Sequence, residues 1–186
     1  MKISRECLQL SIDGESTAAE MYLDFAVQAE KDGYPNIAHL FRCLSQAEKV
    51  HIKNHRSALA ENGYKAKTEE YTVSDTEQNL KSGIEGETYE YKKMYPGFFR
   101  KIKKEKNTEY GRVAFLSMQW SSKVEQNHAK LLKKAYKLLK SGSDLPDKNI
   151  YVCRVCGNIE LGPQTKSCAV CGHDATFFEP LKPEIN

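Results

Sequence analysis

Glu48-Lys49-Val50-His51 sets a carboxylate and an imidazole three residues apart in a strongly helical stretch, and Glu125-Gln126-Asn127-His128 repeats the spacing far downstream. Positions i and i+3 of a helix share a face, with Cβ atoms about 5–6 Å apart. Each motif therefore aims one oxygen donor and one nitrogen donor at a common point. One such pair on a solvated helix is ordinary. Two copies, each with a carboxylate one helix upstream at Glu15 and Glu87, form a pattern. An ionised carboxylate among apolar neighbours costs several kcal/mol unless it is paired or bound to metal. The pattern therefore points to metal.

Outward from these motifs, apolar and small residues recur at three- and four-residue steps. Leu8, Ile12, Ala18, Ala19, Tyr22, Phe25, Ala26 and Ala29 predict a first helix from Ile3 to about Lys31, stopped by Gly33. Pro35 suits the first turn of a second helix running to about Asn62-Gly63. A polar crossover, Tyr64 to Thr72, leads to a third helix with Ser74 or Asp75 as its N-cap, where Ser74-Asp75-Thr76-Glu77 matches a capping box. Tyr95-Pro96-Gly97 should bend or break that helix. A fourth runs from about Thr108 to Lys140. Four helices with one long connection suit a ferritin-like bundle. The order carboxylate, Glu-x-x-His, carboxylate, Glu-x-x-His is a weak internal repeat, consistent with two helical hairpins facing each other.

The helical period vanishes near Ser141-Gly142-Ser143-Asp144, a linker by composition. Beyond it, Cys153-Arg154-Val155-Cys156-Gly157 and Cys168-Ala169-Val170-Cys171-Gly172 form two C-x-x-C knuckles. So short a piece cannot bury a sufficient core unaided, and a metal held by four thiolates would hold it together. The glycine after each pair is expected to let backbone N–H groups turn toward sulfur. The predicted organisation is mainly α: residues 1–140 a ferritin-like domain with a di-iron donor pattern, 141–150 a linker, and 151–186 a small four-cysteine metal domain.

A formal net charge of +3 over 186 residues gives no footprint for nucleic acid. No run approaches the roughly 18 apolar residues that a membrane span needs, and the N-terminal stretch lacks a signal-peptide core. A cytoplasmic location is expected, where paired cysteines read as a metal site rather than disulfides. The basic clusters at residues 100–106 and 130–140 read mainly as solvated helix faces, with docking of an acidic electron donor as the alternative.

Across nearly its whole length the chain resembles the rubrerythrins. The resemblance is carried by Gly14-Glu15-Ser16 with Tyr22, by Ala47-Glu48-Lys49-Val50-His51, by Gly86-Glu87-Thr88-Tyr89-Glu90-Tyr91 followed by Met94-Tyr95-Pro96, by Glu125-Gln126-Asn127-His128, and by the four rubredoxin-like knuckle cysteines. The donor set is matched to that of ferritin-like di-iron proteins rather than derived independently. The resemblance implies Glu48 and Glu125 bridging two irons, Glu15 and Glu87 as terminal ligands, and His128 on the second iron. It also implies one iron shifting between His51 and the extra carboxylate Glu90, and Tyr22 and Tyr95 hydrogen-bonding the carboxylates. His39, His55 and His173 fall outside the pattern and read as surface or packing residues. Cys43 reads as a small buried hydrophobe, and Cys7 as oxidisable if exposed.

Three irons per chain are expected, one di-iron centre and one tetrathiolate iron at Cys153, Cys156, Cys168 and Cys171, with zinc as a substitute at the knuckles. The implied function is reduction of hydrogen peroxide to water in oxidative-stress defence, NAD(P)H-linked through rubredoxin or a reductase. The implied assembly is a homodimer, with or without exchanged helices, in which one subunit's knuckle centre serves the other's di-iron site. The rivals are an iron-oxidising, iron-handling protein and a non-catalytic zinc-knuckle interaction module.

Overall fold

The apolar stripe of the first thirty residues forms helix α1 (Lys2–Lys31), whose buried side includes Leu8, Ile12, Tyr22, Phe25 and Ala29, with Glu15 in the same row. Gly33, at φ +86°, supplies the left-handed turn that stops it. Pro35 opens α2 (Pro35–Leu59). The computed structural model describes residues 2–60, 63–146 and 149–181. The expected end of the second helix at Asn62, part of the linker at Asp147-Lys148, and 182–186 of the C-terminal domain lie outside those residues.

After an irregular crossover, α3 (Thr76–Tyr89) begins with Asp75, whose side chain accepts from Gln78 N–H. Of the two expected caps, Ser74 and Asp75, it is Asp75 that takes the position. The proline break takes an unexpected form. Residues Glu90–Met94 make a π-helical turn that passes directly into α4 (Tyr95–Lys101), with Tyr95 N–H bonding Glu90 five residues back. Pro96 lacks an N–H, and its ring would crowd the carbonyl four residues earlier in a regular helix. The wider turn relieves that clash without ending the rod. Thr108 caps α5 (Glu109–Lys140) by accepting from Gly111 N–H.

The expectation of a mainly α, ferritin-like four-helix bundle holds: α1 lies along α2, α3 along α5, and α2 against α5. Tyr22, Phe25 and Phe41 interlock in the core of one half; Ile12, Leu59, Tyr95 and Met118 fill the other. Among the described residues no helix is long and apolar enough to cross a membrane.

Three short antiparallel strands follow: β1 (Ile150–Cys153), β2 (Ile159–Leu161) and β3 (Phe178–Leu181), in the order β2-β1-β3. This knuckle piece is seated on the bundle. Ile150, Val152 and Ile159 join the cluster of Phe41 and Leu44. The segment that composition marks as a linker is pinned. Asp144 accepts from the N–H groups of Asn36 (2.8 Å) and Ile37 (3.0 Å), and Leu145 is buried. The α2 N-cap, Tyr34, makes no side-chain capping bond, so Asp144 satisfies donors that the first turn leaves open.

Candidate metal centres

The bundle interior gathers six of the predicted residues. Glu15 arrives from α1, Glu48 and His51 from α2, Glu87 from α3, and Glu125 and His128 from α5, all essentially inaccessible to solvent. Their donor atoms fall into two groups, Glu15–Glu48–His51–Glu125 and Glu48–Glu87–Glu125–His128, each with ligand atoms within 4.8 Å of one another. Nδ1 of His51 lies 2.7 Å from Glu48 Oε2 and 3.0 Å from Glu125 Oε1. Nδ1 of His128 lies 3.4 Å from Glu48 Oε1 and 3.0 Å from Glu125 Oε2. Glu48 and Glu125 thus each offer one oxygen to either side.

The terminal carboxylates are held by tyrosines in a matched pair. Tyr22 donates to Glu87 Oε1 at 2.5 Å, and Tyr95 donates to Glu15 Oε1. Their second oxygens face inward. Glu15 Oε2, Glu87 Oε2, both oxygens of Glu48 and of Glu125, and Nδ1 of both histidines make no hydrogen bond although fully buried. So many inward-facing donors suit a bound cation. Burial and the charge of Glu125 push the Glu48 carboxyl up, and burial lifts Glu87 to about 8. Burial opposes charge on His51 and His128, yet the surrounding carboxylates raise both imidazoles. Two divalent ions would balance four carboxylates, and hard oxygen donors with two imidazoles suit iron or manganese. The residues fit a dinuclear metal centre.

Glu90 stands apart. It is half-buried on the π turn and belongs to neither four-residue group, whereas His51 does. Burial, then Glu15 and the other acids, push its carboxyl well above the usual range. It is the one predicted site residue lining an open groove of about 830 Å³ bordered by Met21, Tyr89, Met94 and Phe98.

Cys153, Cys156, Cys168 and Cys171 bring their sulfurs together without disulfides, with Sγ–Sγ distances of 3.8 Å (Cys153–Cys171) and 3.6 Å (Cys156–Cys168). A tetrahedron with metal–sulfur bonds of about 2.3 Å has edges near 3.8 Å, so the four thiols fit a tetrathiolate ion. Gly157 and Gly172 adopt positive φ, but their N–H groups donate to the carbonyls of Cys153 and Cys168. The backbone N–H groups that turn toward sulfur belong instead to Val155, Cys156, Asn158, Val170 and Cys171.

The two centres touch. Nε2 of His51 donates to the carbonyl of Cys156 (3.0 Å), and Nε2 of His128 lies 3.3 Å from the carbonyl of Gly157. Asn54 and Asn127 latch the same loop through Val155 O (2.7 Å) and Ile159 O (2.7 Å). The resemblance implies that this contact is made across a dimer; here it is made within one chain.

Sequence reading missed these asparagines and misjudged His55. That histidine is neither on the surface nor inert packing: it is fully buried, 3.8 Å from Glu15 and bonded to Tyr95 OH (3.1 Å) and Ser117 Oγ (2.8 Å). Burial pushes its ring toward the neutral form. The available signal was its place one turn after His51. His39 is buried, and His173 packs edge-on to Trp120 and Phe177. Cys7 is buried as well as Cys43, so exposure does not make it oxidisable; burial raises both thiols, Cys43 to about 12.

The rubrerythrin family model matches residues 6–136. Rubrerythrin-2 of Clostridium acetobutylicum is 31% identical over 95% of this chain and 96% of its own. Nigerythrin of Nitratidesulfovibrio vulgaris is 34% identical over 89% and 80%. Among solved structures, nigerythrin in its mixed-valence state superposes with a TM-score of 0.85 at 32% identity, covering 96% of this chain and 86% of that one. Its fully reduced, all-ferrous state gives 0.85 at 31%, with the same coverage.

Proposed function

The chain belongs to the rubrerythrin family, and from that membership we propose that it is a non-haem di-iron peroxidase reducing hydrogen peroxide to water in oxidative-stress defence. Glu15, Glu48, His51, Glu87, Glu125 and His128 would hold the iron pair, with Glu48 and Glu125 bridging and Glu90 as the alternative ligand to His51. Cys153, Cys156, Cys168 and Cys171 would hold a third iron, with zinc as a substitute. Iron in the bundle would supply Lewis acidity and electrons to the O–O bond, and iron at the four thiolates would relay electrons one at a time.

The polypeptide does the rest. Glu90 lines an open groove while the six clustered donors are buried, so a small polar oxidant would approach from that side. Glu90, raised by burial and like charge, holds a proton at the mouth of that site. Tyr22 and Tyr95 fix the outer oxygens of Glu87 and Glu15, so each carboxylate keeps a single inward donor. Residues 1–140 would form the di-iron domain, 141–150 the connection and 151–186 the electron-relay domain. Reducing equivalents would come from an NAD(P)H-linked donor protein, rubredoxin or a reductase, and the working unit would be a cytoplasmic homodimer.

The observation that carries this reading is the seating of the four-cysteine group on the outer nitrogens of both cluster histidines. That arrangement suits electron relay better than iron storage or a passive zinc knuckle. Anaerobic stopped-flow of the reduced protein tests it: peroxide should be consumed well ahead of dioxygen. Faster reaction with dioxygen and accumulation of mineral would favour iron handling, and a colourless tetrathiolate with no oxidant reaction would favour the knuckle module.

A further inference from the structure

We propose that His55 is a positioning residue for the metal-binding oxygen of Glu15, acting through Tyr95. The inference rests on the dinuclear reading of the bundle and extends it to a residue outside the ligand set. Tyr95 has one hydroxyl hydrogen, and Glu15 Oε1 receives it. The Tyr95 oxygen can therefore only accept from His55 Nε2, 3.1 Å away, which makes Nε2 the protonated nitrogen of a neutral ring. Ser121 Oγ, 3.2 Å from the same nitrogen, shares that hydrogen. The unprotonated Nδ1 then accepts from Ser117 Oγ at 2.8 Å. The chain Ser117 to His55 to Tyr95 to Glu15 runs in one direction and ends on the oxygen of Glu15 that faces away from the cluster. Every member is buried.

This directionality has a consequence for the inner oxygen. With Oε1 occupied by Tyr95, rotation of the Glu15 carboxyl is blocked and Oε2 stays turned toward His51, 3.8 Å away. Without His55 the tyrosine oxygen loses its buried donor, and the hydroxyl is held in place by its bond to Glu15 alone. Glu87 has its tyrosine, Tyr22, but among the described residues no histidine hydrogen-bonds that tyrosine. The effect should therefore fall on one of the two metal positions.

Anaerobic Co(II) titration of the full chain tests this, because thiolate-to-cobalt bands report the four-cysteine group separately from oxygen- and nitrogen-ligated cobalt. His55→Leu should weaken one of the two bundle sites about 10-fold, the lower end of what outer hydrogen bonds to metal ligands contribute. The other bundle site and the thiolate site should be unchanged. His55→Gln, which keeps an N–H donor, should recover most of the affinity. Combining His55→Leu with Tyr95→Phe should weaken binding no more than Tyr95→Phe alone. Unchanged affinity in His55→Leu, equal loss at all three sites, or additive losses in the double variant would overturn the assignment. Should His55→Leu fail to fold, Ser117→Ala removes only the far end of the chain and should give a smaller loss at the same site. No change there overturns the assignment equally. Wild-type protein that binds no cobalt in the bundle would instead remove the dinuclear reading on which the inference stands.

Discussion

The carbonyl of Cys156 accepts a hydrogen bond from Nε2 of His51 at 3.0 Å, so a residue of the four-cysteine group and a residue of the carboxylate cluster are joined without an intervening side chain. Gly157 makes that approach possible. A Cβ at this position would sit 2.7 Å from His51 Nε2 and 3.0 Å from Ala47 O, and φ there is +84°. Gly157→Ala should leave four thiolates able to bind metal but lift the loop off the histidine. Re-reduction of the oxidised cluster should slow by at least about tenfold, the scale on which small misplacements act. Stopped-flow reduction with metal content measured in parallel is the check.

Because that contact lies within one chain, subunit mixing has a definite expected result. A variant lacking two knuckle cysteines, mixed and co-refolded with a Glu48→Gln, Glu125→Gln variant, should recover no peroxide turnover beyond the sum of the two alone. Recovery toward about a quarter of wild-type activity, the yield of one working site in each of the randomly formed heterodimers, would mean that the knuckle serves the partner subunit.

Glu90 should be separable from stability. It is half-buried, belongs to neither four-residue donor group and faces the groove. Glu90→Gln should reduce peroxide turnover by about 10²-fold, within the range for a positioned acid or base. The melting temperature should move by no more than a few degrees. Equal loss of folding and activity would count against a role at the site.

Asp144 should matter more than its loop suggests. Its two hydrogen bonds to Asn36 and Ile37 supply the cap that α2 lacks. Asp144→Ala should cost about 1 kcal/mol, as loss of a capping acceptor does. It should also raise hydrogen exchange at the start of α2 and in β1, which packs beside it.

Asp32 gives a pH dependence away from the metal site. Its Oδ2 accepts from Thr76 N–H (2.8 Å) and Thr76 Oγ1 (2.6 Å), and these bonds hold its carboxyl below the usual range. A depressed native pKa means the unfolded chain takes up the proton first as pH falls. The contribution is thus complete above the unfolded value near 4 and disappears as pH falls through the lower native one. Asp32 is exposed, so solvent screening limits the effect to below about 1 kcal/mol. Urea titrations of wild type and Asp32→Asn should differ at pH 6 and converge toward pH 3.

The helices and most of the candidate donors were readable because each depends on local spacing. Glu48 with His51, and Glu125 with His128, need only the helical repeat to share a face, and Asp75 and Thr108 are caps by residue type and place. What was not readable depends on contacts distant in sequence. His55 becomes part of the site only once Tyr95 and Ser117 fold against it, 40 and 62 residues away. Asp144 looks like linker until it meets a helix start more than a hundred residues earlier. That the knuckle glycines let backbone N–H groups turn toward sulfur was readable from residue type, but which N–H groups do so, those of Val155, Cys156, Asn158, Val170 and Cys171, depends on the folded loop.

The π turn at Glu90–Met94 adds one residue to an otherwise ordinary rod. Seven α-helical steps of about 100° fall within about 20° of two full revolutions. A shortened chain lacking one of residues 91–93 could therefore close into a plain helix and still present Glu87 and Tyr95 on one side. The bulge is thus separable in register but not in cost: trimming it would keep the donors aligned while returning the Pro96 ring to the carbonyl one turn back that the wider turn now spares it.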